Sequence, residues 1–348
     1  MTSRRAFIGF ALAGVIGAPR ATGAQGRKVA RIGVLSPFAA SDGPAPSFQV
    51  FRDTLRELGQ ADGHTVSFEY RWAGGKYDRL PALAAELAQS KVDVIVSAWS
   101  TPAALAAKRA TATIPVVFVG VGDAVGVELV TSLARPGGHV TGSTFLSEET
   151  VGKLLQLLKE VVPRAARVAI VSNPANPVYV SLLKEVEVMG RQLSLQVVRL
   201  GIQGPADVEP VFESVRRERL DGLVVMRDFV LITHRERIVE LAAKHRIPVM
   251  YGMREFVDAG GLMSFEPSLA ELYRRAAGLV HKILKGAKPA DLPVEQSSRF
   301  ELVVNLKTAR TLGVTIPEPV LLRADPAMLA VRAAGRRGAG APPAEARR

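Results

Sequence analysis

A short stretch of sequence that occurs twice decides the fold: Ile114-Pro115-Val116-Val117-Phe118-Val119-Gly120 and Ile247-Pro248-Val249-Met250-Tyr251-Gly252. Each copy starts with an Ile-Pro pair, continues with β-branched, aromatic or other apolar residues, and stops at a glycine. Runs of this kind, bounded by proline and glycine, are typical of buried strands. Each copy also comes fourth in a series of such runs. The sequence therefore predicts one structural unit that occurs twice.

Helical patterns separate the runs in both series. Residues 29–35, 66–70 and 92–96 form the earlier runs of the first series, and Phe48, Phe51 and Leu55 show helical spacing between two of them. Strands that alternate with helices indicate an α/β fold with parallel sheets. A chain of 348 residues is also long for a single core. We therefore predict two doubly wound parallel-sheet lobes.

Three segments are predicted to carry the chain between the lobes, two of them rich in glycine. They are residues 137–142, 260–264 and 300–305. Glycine tolerates backbone angles that other residues resist, and hinges use such positions, although each glycine pair is also compatible with an ordinary turn. The predicted first lobe combines residues 29–139 and 262–298, and the second combines 140–261 and 299–330.

The N-terminus has the pattern of an export signal over residues 1–24. Arg4 and Arg5 precede an apolar stretch that is followed by small residues, with Thr22 and Ala24 in the positions expected before a cleavage site. The pattern is compatible with either the Sec or the twin-arginine route. We therefore expect a soluble periplasmic protein. Residues 332–348 are rich in Ala, Gly, Pro and Arg, and we predict a disordered tail there.

The net charge of +12 does not predict a nucleic-acid partner. The presequence carries three of these charges and the tail four, so five remain for the body, where they are scattered over helical patterns. The chain has no cysteine, which excludes disulfides, thiolate chemistry and a lipid-modified cysteine within this sequence. Its five histidines share no metal-ligand spacing. We expect no metal and no cofactor.

The residues that follow the predicted strands are the candidates for a binding site. In open α/β sheets, ligands bind beyond the carboxyl ends of the strands, and two facing lobes would bring these ends together at one cleft. The candidate set is Ser36, Ser97, Trp99, Ser100, Thr101, Gly122, Asp123, Asn173, Arg227, Asp228, Tyr251 and Glu255.

This set has the chemistry to bind a small polar molecule, such as an amino acid or an aromatic acid. Ser100 and Thr101 precede Pro102 at a predicted helix start, where free backbone N–H groups favour a carboxylate. Asp123 and Asp228 could each receive an ammonium or a hydroxyl group. Trp99 and Tyr251 could stack on an apolar part of the ligand. Each residue also has a purely structural interpretation, as a cap, a turn or a packing residue.

Enzyme motifs are absent from the sequence. The segment Gly120-Val121-Gly122-Asp123-Ala124-Val125-Gly126 resembles a dinucleotide fingerprint, but its last spacing is one residue too long and it does not follow a first strand. The sequence contains no phosphate-binding P-loop and no G-x-S-x-G elbow. We therefore predict that the protein is not an enzyme.

Several longer stretches resemble a known family. They are Tyr70 to Gly75, Ser132 to Gly142, Arg254 to Ser264, Leu284 to Val294 and Phe300 to Ala309. In this order they look like the ABC-transporter substrate-binding family that includes tryptophan- and tyrosine-binding proteins. The resemblance implies a type I periplasmic-binding-protein fold with three crossings between the lobes. It also implies acidic cleft positions at Asp123 and Asp228, although relatives tend to have Asp-Pro and Asp-Asn where this chain has Asp123-Ala124 and Asp228-Phe229.

The leading hypothesis is a monomeric receptor whose lobes close on a small-molecule ligand and deliver it to the membrane permease of an ABC importer. A ligand favours the closed form only by its higher affinity for that form. The alternative is a sensory module that reports the ligand to a signalling partner. Neighbouring genes for a permease and an ATPase would favour transport, and a sensor kinase gene would favour signalling.

Overall fold

The computed structural model describes residues 29–40, 46–145 and 147–324. The predicted signal peptide (1–24) and the predicted tail (332–348) lie outside the described residues. Within them, strands and helices alternate along most of the chain, as the sequence predicts.

The strands form two six-stranded sheets. In chain order they are β1 (Ala30–Ser36), β2 (Val66–Trp72), β3 (Val94–Ser97), β4 (Val116–Gly122), β5 (Val140–Phe145), β6 (Arg167–Ser172), β7 (Gln196–Gly201), β8 (Gly222–Val225), β9 (Val249–Tyr251), β10 (Met263–Pro267), β11 (Glu295–Gln296) and β12 (Phe300–Val304). The first sheet has the order β11-β5-β4-β3-β1-β2, and the second has the order β12-β10-β9-β8-β6-β7.

The two sheets share one topology. In each, the first strand of the unit lies between the second and third, which produces the doubly wound pattern. Neighbouring strands run parallel, except that β12 is antiparallel to β10. The two quoted stretches become β4 and β9, which occupy equivalent positions beside β3 and β8. The predicted α/β fold with two mostly parallel sheets is confirmed.

Twelve α-helices connect and cover the sheets in the described part of the chain. They are α1 (Pro46–Glu57), α2 (Leu80–Gln89), α3 (Thr101–Ala110), α4 (Ser147–Val161), α5 (Val178–Gln192), α6 (Val208–Arg217), α7 (Phe229–Thr233), α8 (Arg235–Lys244), α9 (Arg254–Asp258), α10 (Leu269–Leu284), α11 (Leu306–Leu312) and α12 (Glu318–Arg323). Among the described residues, none of the helices is long and apolar enough to span a bilayer.

Each sheet has a hydrophobic core on both of its faces. In the first lobe, α2 and α3 cover one face, and α1 and α10 cover the other. In the second lobe, α4 and α5 lie on one face, and α6 and α8 lie on the other. Sheets covered on both faces require strands that are apolar along their whole length. All seven residues of β4 are accordingly buried.

The chain crosses between the lobes three times, but each crossing lies beside the predicted segment. The first follows β5, the second is at Ser268 between β10 and α10, and the third spans residues 297–299 between β11 and β12. The structure thus places residues 140–145 in the first lobe, and residues 262–267 in the second. This corrects the predicted division of 29–139 with 262–298 and 140–261 with 299–330.

The boundaries were misplaced because strand residues resemble a connector in the sequence. Val140 to Phe145 reads Val-Thr-Gly-Ser-Thr-Phe, yet its backbone pairs with β4 over most of its length. Gly142 is required there because a Cβ atom would lie 2.3 Å from the carbonyl oxygen of Phe118. Gly260 has φ +109° in the turn before β10. Gly260 and Gly261 therefore correspond to the alternative interpretation, an ordinary turn.

Candidate functional site

A cavity of about 60 Å³ lies between the two lobes, at the carboxyl ends of both sheets. Its walls include residues from the loops after β1, β3, β8 and β9, from β4 itself, and from α4 and α5. The lining residues are Phe38, Tyr77, Trp99, Ser100, Thr101, Gly120, Gly122, Phe145, Thr150, Val151, Leu154, Asn176, Val178, Tyr179, Leu182, Met226, Arg227, Asp228, Phe229, Gly252, Met253 and Pro267.

Trp99 and Gly120 form one wall of the cavity in the first lobe. Both have positive φ angles, +51° for Trp99 and +63° for Gly120. Gly120 lies at a break in the register between β4 and β5, and a Cβ atom there would be 2.6 Å from the Trp99 ring. Bulges and strained residues of this kind are common beside functional sites. The glycine therefore allows the indole ring to pack directly against the strand.

The N-terminus of α3 reaches the same wall. Ser100 is the N-cap residue, and its hydroxyl oxygen accepts a hydrogen bond from the Ala103 N–H at 3.2 Å. Thr101 and Pro102 then start the helix. Ser100 and Thr101 are both buried. The positive end of the helix dipole therefore faces the cavity, where it favours negative charge.

Arg227 reaches from the second lobe across the cavity to the first. One of its terminal nitrogens, Nη2, donates a hydrogen bond to the carbonyl oxygen of Gly120 at 2.8 Å. The guanidinium carbon lies 4.9 Å from the Trp99 ring centre and 4.0 Å from that of Phe145. The other nitrogen, Nη1, is buried and has no hydrogen-bond partner among the described residues. Burial lowers the pKa of Arg227 to about 10, so the side chain is still a cation at neutral pH.

Asp228 is buried next to Arg227 in the chain, but its carboxylate is enclosed by donors. Oδ1 accepts hydrogen bonds from the Asn173 side chain at 3.0 Å and from the Val230 N–H at 2.8 Å. Oδ2 accepts from the Asn176 side chain at 2.8 Å and from the Tyr77 hydroxyl at 3.2 Å. Burial raises the pKa of Asp228, and these hydrogen bonds oppose that rise. The carboxylate is the centre of a polar network that includes both lobes.

Several contacts join the lobes around the cavity. Tyr77 of the first lobe bonds to Asp228 of the second, and Arg227 bonds back to Gly120. The rings of Phe38 and Phe229 also meet edge to face across the cleft, 4.5 Å apart. The described arrangement is therefore a closed one.

Six of the twelve predicted site residues line the cavity, and six do not. Those that line it are Trp99, Ser100, Thr101, Gly122, Arg227 and Asp228. Ser36, Ser97 and Asn173 are buried but do not line the cavity. Their polar groups bond to neighbouring protein atoms: Ser36 to the Phe38 N–H, Ser97 to the Ser100 carbonyl, and Asn173 to Asp228.

The other three residues have positions that differ from the predicted ligand contacts. The Asp123 carboxylate caps the turn that follows β4, accepting a hydrogen bond from the Gly126 N–H at 2.8 Å. Tyr251 is fully buried in the second core, where its ring stacks on Phe256 at 4.7 Å and cannot reach a ligand. Glu255 lies on α9, outside the cavity lining. For Asp123 and Tyr251 the structural interpretations, a cap and a packing residue, account for the observed contacts.

Glu255 and Glu266 form a second polar group close to Arg227. Each has a buried carboxylate oxygen without a hydrogen-bond partner among the described residues. Glu266 accepts one hydrogen bond, from the Arg254 N–H at 2.9 Å. Burial, with the nearby Glu255 carboxylate, raises the pKa of Glu266 to about 8, and burial also raises the pKa of Glu255.

Much of the apolar lining was absent from the sequence-based site. Phe145, Leu154, Val178 and Leu182 come from β5, α4 and α5, whose positions depend on where the chain crosses between the lobes. Asn176 and Phe38 could have been predicted from the sequence, since both follow predicted strands within a few residues. Tyr77 could not have been predicted in this way, because it lies just before a helix that begins at Leu80.

The sequence matches a family model described as ABC transporter substrate binding protein over residues 32–328. This match covers most of the chain. The chain belongs to this family. It is the solute-binding receptor of an ABC importer, and the two-lobed fold with a cavity at the facing strand ends is the arrangement such receptors use to enclose small molecules.

Individual relatives agree with this assignment. A tyrosine-binding protein from Clostridioides difficile is 27% identical over 265 residues, which is 76% of this chain and 75% of the relative. The crystal structure of a conserved domain protein from Vibrio cholerae is 30% identical, with a TM-score of 0.78, and covers 85% of this chain and 99% of that one. A Streptococcus pneumoniae domain solved with L-Trp is 26% identical, with a TM-score of 0.77. The match covers 85% of this chain and 98% of that one.

Proposed function

We propose that this receptor binds a small organic acid or amino acid in the cavity between its lobes. The observation that carries the proposal is the enclosure of Arg227 and the start of α3 in one apolar cavity built from both lobes. A ligand that touches both walls stabilises the closed form, because it binds that form more tightly than the open one. The relatives with tyrosine and L-Trp in their names support a ligand of this size.

The proposed site of action is the periplasm, reached through the signal pattern at residues 1–24. The receptor acts there as a monomer and passes its ligand to a membrane permease. In this proposal the protein binds its ligand without transforming it. The family consists of substrate-binding proteins, and this supports the transport role over the sensory alternative.

Thermal unfolding in the presence of candidate ligands tests this function. The protein is unfolded and refolded to remove any bound molecule, and then scanned with amino acids and with aromatic and aliphatic acids. A ligand at 100 times its dissociation constant adds about 2.7 kcal/mol to the free energy of unfolding and raises the midpoint. A folded protein whose midpoint does not respond to any compound of either class would contradict the proposal.

A cavity-filling variant shows whether the responding ligand binds between the lobes. Met226→Trp places a large ring in the cavity lining and should remove the midpoint shift. Val125→Trp introduces the same ring at a position that is 43% exposed and should keep the shift. A shift that survives in Met226→Trp would place the ligand elsewhere.

A further inference from the structure

Two side chains that line the cavity and pack on each other carry hydrogen-bond donors without partners. Nη1 of Arg227 and Nε1 of Trp99 are both buried, and neither has a hydrogen-bond partner among the described residues. Both side chains line the cavity, with the guanidinium carbon 4.9 Å from the indole ring. A buried donor without a partner costs free energy, and a buried cation costs more. This pair of donors therefore favours a ligand with an anionic acceptor.

None of the described carboxylates both lines the cavity and has an oxygen left for an ammonium group. Asp228 accepts four hydrogen bonds from protein donors, which matches the capacity of the two oxygens of a carboxylate. Asp123 caps the Gly126 N–H and lies outside the cavity lining. Glu255 and Glu266 also lie outside the lining. The lining residues thus include two donors without partners, on Arg227 and Trp99, and one carboxylate, Asp228, whose oxygens are all bonded.

The rest of the lining indicates a ligand with one charge and an apolar body. Phe38, Phe145, Met226 and Phe229 contribute large apolar side chains to the lining. The guanidinium itself packs against the Phe145 ring at 4.0 Å, and Arg227 is the one cationic side chain among the residues that line the cavity. A second negative charge on the ligand would be buried without a cation to pair with it.

On the basis of the proposed function, we infer that the ligand is a monocarboxylate with an apolar body and no ammonium group. Its carboxylate accepts hydrogen bonds from Arg227 Nη1 and Trp99 Nε1, and the N-terminus of α3 adds a favourable dipole on the same side. Its body lies against the aromatic and aliphatic lining. The recognition would therefore differ from that of an amino-acid receptor, in which an unsatisfied carboxylate must pair with the ammonium group.

Calorimetric titration with three compounds of similar shape tests this inference. The compounds are 3-phenylpropionate, L-phenylalanine and 2-phenylethylamine, which share a phenyl ring and differ in their charged groups. We expect 3-phenylpropionate to bind most tightly, L-phenylalanine at least about 10-fold more weakly because its ammonium is buried without an acceptor, and the amine not at all. Amino-acid binding as tight as that of the acid would overturn the inference and leave the proposed function intact.

Variants of the two donors identify the anchoring groups. Arg227→Met keeps a long apolar side chain and should weaken acid binding about 10- to 100-fold, whereas Trp99→Phe keeps an aromatic ring and should weaken it about 2- to 10-fold. Arg217→Met changes an exposed arginine on α6 and serves as the control, with unchanged affinity expected. The midpoint of each variant without ligand reports whether it folds.

Two further results of these binding experiments would overturn the inference of a monocarboxylate ligand. Unchanged acid affinity in both Arg227→Met and Trp99→Phe would overturn the inference, since neither donor would then hold the carboxylate. If 3-phenylpropionate and related acids fail to bind the folded wild-type protein, the monocarboxylate assignment is wrong. The proposed function fails as well only if the amino acids in the thermal panel also produce no shift.

Discussion

Asp228 connects the two lobes through the hydrogen bonds that its carboxylate accepts. Its carboxylate gathers donors from both lobes, namely Tyr77 of the first and Asn173, Asn176 and Val230 of the second. The sequence placed this residue in the cleft correctly but suggested that it would receive a ligand group. Four protein donors bond to its two oxygens, so a structural role accounts for the observed contacts.

Asp228→Asn is therefore expected to destabilise the fold. The amide would place an N–H₂ group against donors and would remove the charge, at a cost of about 2–3 kcal/mol in the free energy of unfolding. Urea unfolding measures this loss. Asp258→Asn, on the exposed end of α9, is the control and should change stability little. An unchanged stability with a collapse of ligand affinity would mean that Asp228 binds the ligand directly.

Glu266 is expected to make stability depend on pH. Its pKa of about 8 in the folded protein lies above the ordinary value of 4.5, so the folded state holds the proton more tightly than the unfolded chain. This contribution is complete below pH 4.5 and is lost as the pH rises toward 8, at no more than about 1.4 kcal/mol per pH unit.

The test compares midpoints across this pH range in the wild type and in Glu266→Gln. The amide keeps an oxygen for the Arg254 N–H and cannot ionise, so the variant should lose less stability than the wild type between pH 5 and pH 8. Glu213→Gln, at an exposed position on α6, should follow the wild type. Parallel curves for wild type and Glu266→Gln would contradict the assignment.

At the scale of single elements, the bulge at Gly120 positions the Trp99 ring in the cavity wall. Gly120→Ala would need a Cβ atom 2.6 Å from the Trp99 ring at a φ of +63°. We expect a loss of about 1–3 kcal/mol in the free energy of unfolding, together with weaker ligand binding as Trp99 is displaced. Denaturant unfolding and calorimetry measure the two effects.

Gly278→Ala is the matched control for this substitution. Gly278 lies inside α10 and has open space where a Cβ atom would be placed. Alanine there should stabilise the protein by about 0.5–1 kcal/mol, because glycine is a poor helix former. If both substitutions had the same effect, the bulge would have no special role.

The elements themselves were predictable from the sequence, and their assignment to lobes was less so. Strands such as β4 and β9 are continuous apolar runs between Pro and Gly, and local sequence determines such runs. β5 and the start of β10 were taken for crossings because glycines within β5 and just before β10 resemble hinge residues. Their place in a sheet depends on pairing with β4 and β9, and the local sequence does not show which strands pair.

The same limit applied to the site. Trp99, Ser100, Arg227 and Asp228 line the cavity as the sequence predicts, because each follows a strand and strand ends meet at the cleft by topology. Tyr251 also lies at the end of a strand, β9. In the structure, however, its side chain points into the core and stacks on Phe256. The direction of a side chain at a strand end depends on packing, which sequence position alone does not determine.

At the scale of the whole molecule, the contacts between the lobes suggest a balance between open and closed forms. The lobes meet through hydrogen bonds such as Tyr77 with Asp228 and Arg227 with Gly120, and through packing contacts such as Phe38 with Phe229. Interfaces between the domains of one chain commonly permit relative domain motion. A ligand that adds contacts to both walls would then shift the balance toward closure.

The most direct test of the account is the distance between the lobes with and without ligand. The cysteine-free chain permits Asp78→Cys and Ala175→Cys, at exposed positions that line one groove between the lobes, to carry two spin labels. Electron paramagnetic resonance then measures their separation. We predict a shorter and narrower distance distribution when the ligand identified by thermal unfolding is bound. An unchanged distribution under conditions where calorimetry shows saturation would contradict binding by lobe closure.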